Sequence, residues 1–294
     1  MQVERRVSKN WIVQVVLILT IMCMLSGCMS LLLQRQRNYE YIPVTNSREL
    51  FTVIYDSLYS FEEDVHVLTT SYKDFMSMWL ELDKQFALHS AFRERDVKLA
   101  YTERDGDCKT DIQMKLNACG QAMQYLYAKN VKKYPSKEAE AVGEALLAVK
   151  NEIISDDMTD EQKVRKIHDY IISHCEYALD GEVTYFSTAQ VVLQEGKAQC
   201  QGYSEAFAAL CLLSGVECRV ISGNSTFGFG EGAHAWCQVR IAYIWYHIDV
   251  TWDDPIPDEP GMIRYDFYLK SDATMDFTHD WCSYFEECFV DYVS

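Results

Sequence analysis

The chain has 294 residues, 49% hydrophobic and 13% aromatic, with only 5 prolines. That apolar content fills a core and excludes a chain disordered throughout. A formal net charge of −17 repels phosphate backbones and anionic bilayer faces, so nucleic acid is not expected as a partner.

The N-terminus reads as an export signal rather than as part of the fold. Arg5, Arg6 and Lys9 precede an apolar run from Trp11 to Leu25, interrupted only by Gln14 and Thr20. The run is short for a spanning helix and suits a signal-peptide core. "LSGC", Leu25 to Cys28, resembles a bacterial lipobox, which implies diacylglycerol on the Cys28 sulfur and cleavage before it. Residues 1–27 are then a lipoprotein signal peptide, and residues 28–45 a tether. The mature protein is expected outside the cytoplasm, anchored to the cell membrane through lipid. Two acyl chains hold a protein firmly, at about 0.8 kcal/mol per buried methylene. Losing Glu4, Arg5, Arg6 and Lys9 removes two net positive charges and takes the charge from −17 to −19.

Residues 46–135 read as a small α+β domain. "SRELFTVIYDSLYSF" has Leu50, Phe51, Ile54 and Leu58 at helical spacing behind a serine cap. "YKDFMSMWLELDKQF" predicts a second helix. "VKLAYTE" and "TDIQMKL" flank "RDGDCK", which predicts a hairpin turning near Gly106. The same loop fails as a calcium site, because Thr110 stands where that loop needs glycine.

Beyond Pro135 the pattern changes, and residues 136–294 form the second predicted domain. "SKEAEAVGEALLAVKNEII" and "TDEQKVRKIHDYIISHCEY" predict helices, the latter with a Thr159–Gln162 capping box. His168 and His174 on that helix lack a carboxylate or thiol at metal spacing and read as structural. "TAQVVLQEG" predicts a helix ending at Gly196. Another starts at Cys200 and stops at Gly215. "ECRVISG", "HAWCQVRI" and "YIWYHIDVTW" predict three strands of an antiparallel sheet.

The chemistry concentrates at Cys200, in "GKAQCQGYSEAFAALC". A helix N-terminus lowers a thiol's pKa through unpaired N–H groups, and Gly196 and Gly202 let the backbone pass closely. His234 opens a strand after a glycine-rich loop and is the candidate base. Asp249 follows on the next strand, where a turn centred near residue 241.5 would bring it opposite His234 and let it orient the ring. His247, two residues before Asp249, is a rival base that reads as packing. Of the 11 cysteines, Cys23 leaves with the signal and Cys28 takes lipid. Besides Cys200, eight remain, which either pair as disulfides or stay small buried hydrophobes. No CxxC pair suggests zinc, and no metal or cofactor is expected.

"GKAQCQGYSEAFAALCLLSGVECRVISGN", "GAHAWCQVRI" and "WYHIDVTWDDP" resemble the transglutaminase-like superfamily, whose fold is related to papain-type cysteine proteases. The resemblance runs from about Thr184 through "YDFYLKSD", with His279 in the same tail. It implies an α+β fold in which helices, one beginning at the nucleophile, pack on an antiparallel sheet, with the small α+β domain ahead of it. It assigns the triad to Cys200, His234 and Asp249, and the reaction to acyl transfer through a Cys200 thioester. Resolution by water would make a hydrolase, and resolution by an amine a transglutaminase. The Cys200 backbone N–H is the first oxyanion donor, and Gln194 or Tyr203 a candidate second. Trp236 and Trp252 are candidates for substrate contact, though they also suit the core. The expected partner is a protein or peptide substrate, possible at the cell surface. The alternative is a catalytically silent binding or assembly module on the same fold.

Overall fold

In a computed structural model of the chain, residues 40–85, 91–179, 188–226 and 232–293 are described. The leader, Cys28 and the tether up to residue 39 lie outside the described residues, as does part of the glycine-rich loop before His234. No described helix is long and apolar enough to cross a membrane.

The N-terminal segment builds one sheet and two helices. A short strand β1 (Ile42–Pro43) leads into α1 (Ser47–Tyr59), β2 (Asp64–Thr69), α2 (Tyr72–Lys84), β3 (Arg93–Arg104) and β4 (Asp107–Leu116). The strands order as β1-β2-β4-β3. The β3–β4 hairpin turns on Asp105 and Gly106, both at positive φ (55° and 86°), the two-residue geometry that suits the twist of paired strands. The cap of α1 is Asn46, whose side chain accepts from the Glu49 N–H. Ser47, the sequence-predicted cap, is buried instead and donates its hydroxyl to Glu81 at 2.6 Å.

The remaining chain forms α3 (Ala118–Leu126), α4 (Lys137–Ile153), α5 (Asp160–His174), β5 (Glu176–Tyr177), α6 (Ala189–Glu195), β6 (Lys197–Ala198) and α7 (Cys200–Leu213). The strands β7 (Cys218–Ser225), β8 (Gly232–Ile241) and β9 (Ile244–Ile248) follow, then α8 (Val250–Asp253), α9 (Asp272–Met275) and β10 (His279–Trp281). The second sheet orders as β10-β7-β8-β9 and is antiparallel. The capping box predicted at Thr159 and Gln162 is formed.

Helix α7 is the centre of the molecule. It is buried from Gly202 to Leu212, against α3 to α6 and against β7 and β8. Burying each of its large apolar side chains contributes roughly 1.5–3 kcal/mol. The fold is α+β, with helices around α7 covering one face of the second sheet.

Ile42–Ser294 is one compact unit, although the sequence divides it at residue 135. The predicted small domain has its own sheet, but both hydrophobic cores cross that boundary. One joins Leu58, Phe61 and Phe92 to Leu146, Ile167 and Phe207; the other joins Phe51, Ile54 and Phe75 to Ile221, Trp236 and Phe285. Two polar latches fasten the halves. Tyr55 and Tyr59, one turn apart on α1, reach β7: the Tyr55 hydroxyl donates to the Val220 carbonyl at 2.7 Å, and the Val220 N–H donates to the Tyr59 hydroxyl at 2.5 Å. Glu205, fully buried on α7, accepts from the backbone N–H groups of Phe92 (2.6 Å) and Ala189 (2.7 Å) and from the Asn117 carboxamide (2.6 Å).

Glu205→Ala strands those three donors in the interior and is expected to cost about 3–5 kcal/mol, because each unsatisfied buried donor costs roughly 1–3 kcal/mol. Glu205→Gln keeps an accepting oxygen and is expected to cost less. Denaturant midpoints for the two variants check the order.

Candidate active site

Cys200 is set at its helix end by the segment before it. Helix α6 closes at Gly196 in the left-handed conformation (φ 67°), where an added Cβ would crowd the His174 carbonyl. Lys197 and Ala198 then pair with Glu176 and Tyr177 as a short parallel ladder. Gln199 is the extended residue before α7, and Cys200 is its first residue, half-buried. The thiol therefore lies at the positive end of the long central helix.

The β7–β8 register places His234 across from Gly223, and Cys237 across from Val220. The His234 imidazole and the Ala235 backbone N–H both act on the Cys200 sulfur and favour its charged form. The ring nitrogen Nε2 lies 2.7 Å from Asp249 Oδ2. One imidazole thus bridges thiol and carboxylate.

Asp249 is not opposite His234 on a strand. The β8–β9 turn is Ala242–Tyr243, both at positive φ (49° and 69°), and pairs Ile241 with Ile244. The ladder is thereby offset from the sequence-predicted register and ends at the pair Cys237–Ile248. Asp249 lies just past it as the N-cap of α8. Its Oδ1 accepts from the Thr251 N–H (3.0 Å) and the Trp252 N–H (3.2 Å). Its Oδ2 is shared by His234 and by His279 Nε2 at 3.1 Å.

The electrostatics follow from this geometry. Burial pushes the Asp249 carboxyl up, but the charge and hydrogen bond of His234 and the contact with His279 hold it well below the usual carboxylate range. Burial pulls the His234 imidazole down, and Asp249 and Cys200 reverse this, raising it to about 10. Burial pushes the Cys200 thiol up, and the hydrogen bond and charge of His234 outweigh it, leaving the thiol below its ordinary value. The same contacts therefore favour the thiolate–imidazolium pair over the neutral pair.

The other predicted site residues fall differently. Tyr203 is fully buried and donates its hydroxyl to Asp254 Oδ2 at 2.5 Å, so it is committed to a buried carboxylate rather than to an oxyanion. Trp236 is a core residue: its indole N–H donates to His247 Nδ1 at 3.0 Å, and its ring packs edge-on against His279. Gln194 is exposed near the end of α6, with its carboxamide oxygen accepting from Gln190 at 3.2 Å. Trp252 stays at the site, half-buried, its ring centroid 5.5 Å from that of His234 and 4.6 Å from that of His279.

His168 and His174 are structural. His168 is buried between Asp169 (Nδ1, 2.9 Å) and Asp253 (Nε2, 3.1 Å), and so ties α5 to α8. His174 is exposed, with Nδ1 2.8 Å from the Tyr170 carbonyl. The rival base His247 is remote in role, with Nε2 2.9 Å from Asp272 Oδ1.

His247, Asp272 and Cys288 do bring three ligand-type atoms within 4.8 Å of one another. The Trp236 N–H decides against a metal there. Indole nitrogen can only donate, so Nδ1 of His247 must accept and the ring's proton sits on Nε2. Nε2 is then a donor to Asp272 and has no lone pair for a metal. All nine described cysteines are free thiols.

Residues 147–250 match the model of the transglutaminase-like superfamily, so the chain carries a transglutaminase-like domain. The chain is similar to the kyphoscoliosis peptidase of Homo sapiens, 31% identical over 120 residues, which is 37% of this chain and 18% of that protein. It is likewise similar to the kyphoscoliosis peptidase of Mus musculus, 32% identical over 125 residues, covering 37% of this chain and 19% of that one. The chain thus spans about a fifth of the length of these curated relatives. Among solved structures, the crystal structure of a TGase aligns over 64% of this chain and 50% of its own, with TM-score 0.35 and 16% identity.

Iodoacetamide at neutral pH is expected to label Cys200 ahead of Cys119, Cys211, Cys218 and Cys237, whose thiols burial pushes up. His234→Ala leaves burial in place and removes its compensation, so the Cys200 thiol rises past its ordinary value of about 8.5. Labelling at neutral pH should then fall by about 10- to 100-fold, read by peptide mapping.

Proposed function

We propose that the protein is an extracytoplasmic, lipid-anchored cysteine acyl-transfer enzyme that acts on a carboxamide or peptide bond of a protein or peptide substrate. The observation that carries this reading is the unbroken line from Cys200 through the His234 imidazole to the buried Asp249 carboxylate. That line supports the reading by offering a nucleophile, a proton carrier and an orienting acid to one reaction.

The chemistry runs as follows. The Cys200 thiolate attacks the carbonyl carbon, and the Cys200 backbone N–H, at the open end of α7, stabilises the developing oxyanion. The tetrahedral adduct collapses as His234 gives its proton to the departing nitrogen. Ammonia or an amine leaves, and a thioester remains on Cys200. His234, now neutral, takes a proton from the incoming nucleophile. Water yields a carboxylic acid; a primary amine yields a new amide. Either step regenerates thiolate and imidazolium. Asp249 keeps the ring's Nε2 proton in place and stabilises the cation.

The transglutaminase-like match supports transfer to an amine, and the peptidase names of the mammalian relatives accord with transfer to water. Trp252, half-buried against the imidazole, is the sequence-predicted substrate contact that supports recognition beside the thiol.

Incubation with a glutamine peptide and a fluorescent primary amine, resolved by mass, separates these outcomes. A fluorescent adduct marks transamidation; glutamate or cleaved peptide marks hydrolysis. Cys200→Ala is expected to lower either signal by at least about 10³-fold, as loss of a nucleophile does. No product across a peptide library, with every thiol labelling slowly, would instead leave a silent binding module.

Anchoring has its own test. Wild-type protein is expected to take up a labelled fatty acid and to fractionate with membranes, and Cys28→Ser to do neither. Membrane association without acylation would remove the lipid from the proposal.

A further inference from the structure

We infer that His279 is a positioning residue of the same site, which shares the Asp249 carboxylate with His234 and so sets how tightly that carboxylate holds the catalytic imidazole. This rests on the cysteine acyl-transfer reading above.

The sheet brings the two rings together. β7 lies between β10 and β8; His279 pairs with its Ser225, and His234 with its Gly223. Positions 223 and 225 share one face of the strand, so both imidazoles project on that face. The close approach of β10 depends on Gly223. An added Cβ there would lie 2.2 Å from the Asp280 carbonyl oxygen and 2.9 Å from the Trp236 ring.

His279 is fully buried, and both of its nitrogens are engaged. Thr278 Oγ1 lies 2.8 Å from Nδ1, and Nε2 lies 3.1 Å from Asp249 Oδ2. Facing an ionised carboxylate, Nε2 must carry the hydrogen. Rings of Trp236 (4.7 Å between centroids), Trp252 (4.6 Å) and Phe267 (5.6 Å) enclose it. His234 and His279 therefore donate to one and the same oxygen. The second donor withdraws part of the negative charge that the first would otherwise feel.

The sign follows directly. Without His279 the Asp249 oxygen is a stronger acceptor, the proton affinity of the His234–Asp249 pair rises, and the imidazolium survives to higher pH. The other titratable groups facing the pair are Cys200 from α7, Cys237 from β8 and Asp253 from α8, while His247 from β9 faces His279. None of these is altered by a substitution at position 279.

The test uses the full chain and iodoacetate, an anion attracted by the imidazolium, so that alkylation of Cys200 declines as His234 loses its proton. His279→Phe is expected to move that alkaline decline upward by about one pH unit, the scale of one hydrogen bond to a charged group. His279→Gln, which restores an N–H near Nε2, should return it toward the wild type. Thr278→Val removes the partner of Nδ1 and a 3.4 Å bond to the Met275 carbonyl; it should shift the decline the same way by less, and it serves if His279→Phe does not fold. An unmoved decline in these variants, with only a lower melting temperature, overturns the inference and leaves the triad reading standing. Slow alkylation of wild-type Cys200 removes the triad reading, and this inference with it.

Discussion

The Asp249 carboxylate is the constraint on which the site depends. A buried carboxylate is tolerated only where donors replace water, and four do so here: two backbone N–H groups on Oδ1 and two imidazoles on Oδ2. Those four donors come from β8, α8 and β10. Moving any of these elements would leave a charge unpaired in the interior, which costs several kcal/mol. The carboxylate therefore fixes where the second sheet ends and where the C-terminal segment returns to it. The same contacts hold the His234 ring against the Cys200 thiol.

A wider pattern surrounds this one residue. Five histidines, His66, His168, His234, His247 and His279, lie on carboxylates. Among the described residues no lysine or arginine forms an ion pair with Asp249, Asp253 or Glu205. The buried acids of a chain with net charge −17 are thus balanced by groups that can shed their charge, or by neutral N–H donors. Imidazole avoids the desolvation cost of a permanent cation, and its two nitrogens can join two elements at once. His168 does this between α5 and α8, just as His234 does between α7 and α8. The residue type that performs the proposed proton transfers also stitches the interior together.

The local elements were largely legible in the sequence, and their mutual placement less so. The helix beginning at Cys200, its halt near Gly215, the capping box at Thr159 and the three strands after Glu217 all follow from periodicity and end signals. Local physics decides these. The register around His234 was not legible, because no glycine or asparagine marks the turn. Ala242 and Tyr243 adopt positive φ under pressure from the strands they join. Gln194 and Tyr203 carry the right groups for an oxyanion, but one is turned outward and the other is bound to Asp254. Glu205 left a faint trace, a lone acid in an otherwise apolar helix. The tyrosine latches left none, since Tyr55 and Tyr59 are ordinary members of an amphipathic face. The domain boundary near Pro135 is a real change of pattern, but pattern does not report that two stretches share a core.

The departure of Asp249 from the strand explains more than it disturbs. Within a ladder, a residue's neighbouring N–H groups are spent on the partner strand. A carboxylate there has only side chains to solvate it. One step beyond the strand, at the start of a helix, the first backbone N–H groups have no intrahelical acceptor and turn toward the capping side chain. Asp249 takes two of them and can remain ionised at full burial. Cys200 is instead the first residue of α7, one step past its cap Gln199, and the Ala235 backbone N–H and the His234 imidazole favour its charged form. The thiol and the carboxylate of the site thus sit at two helix starts, with the imidazole between them. Charge separation across thiol, ring and carboxylate is stabilised by backbone that is already in place, so the interior does not have to reorganise when the proton moves.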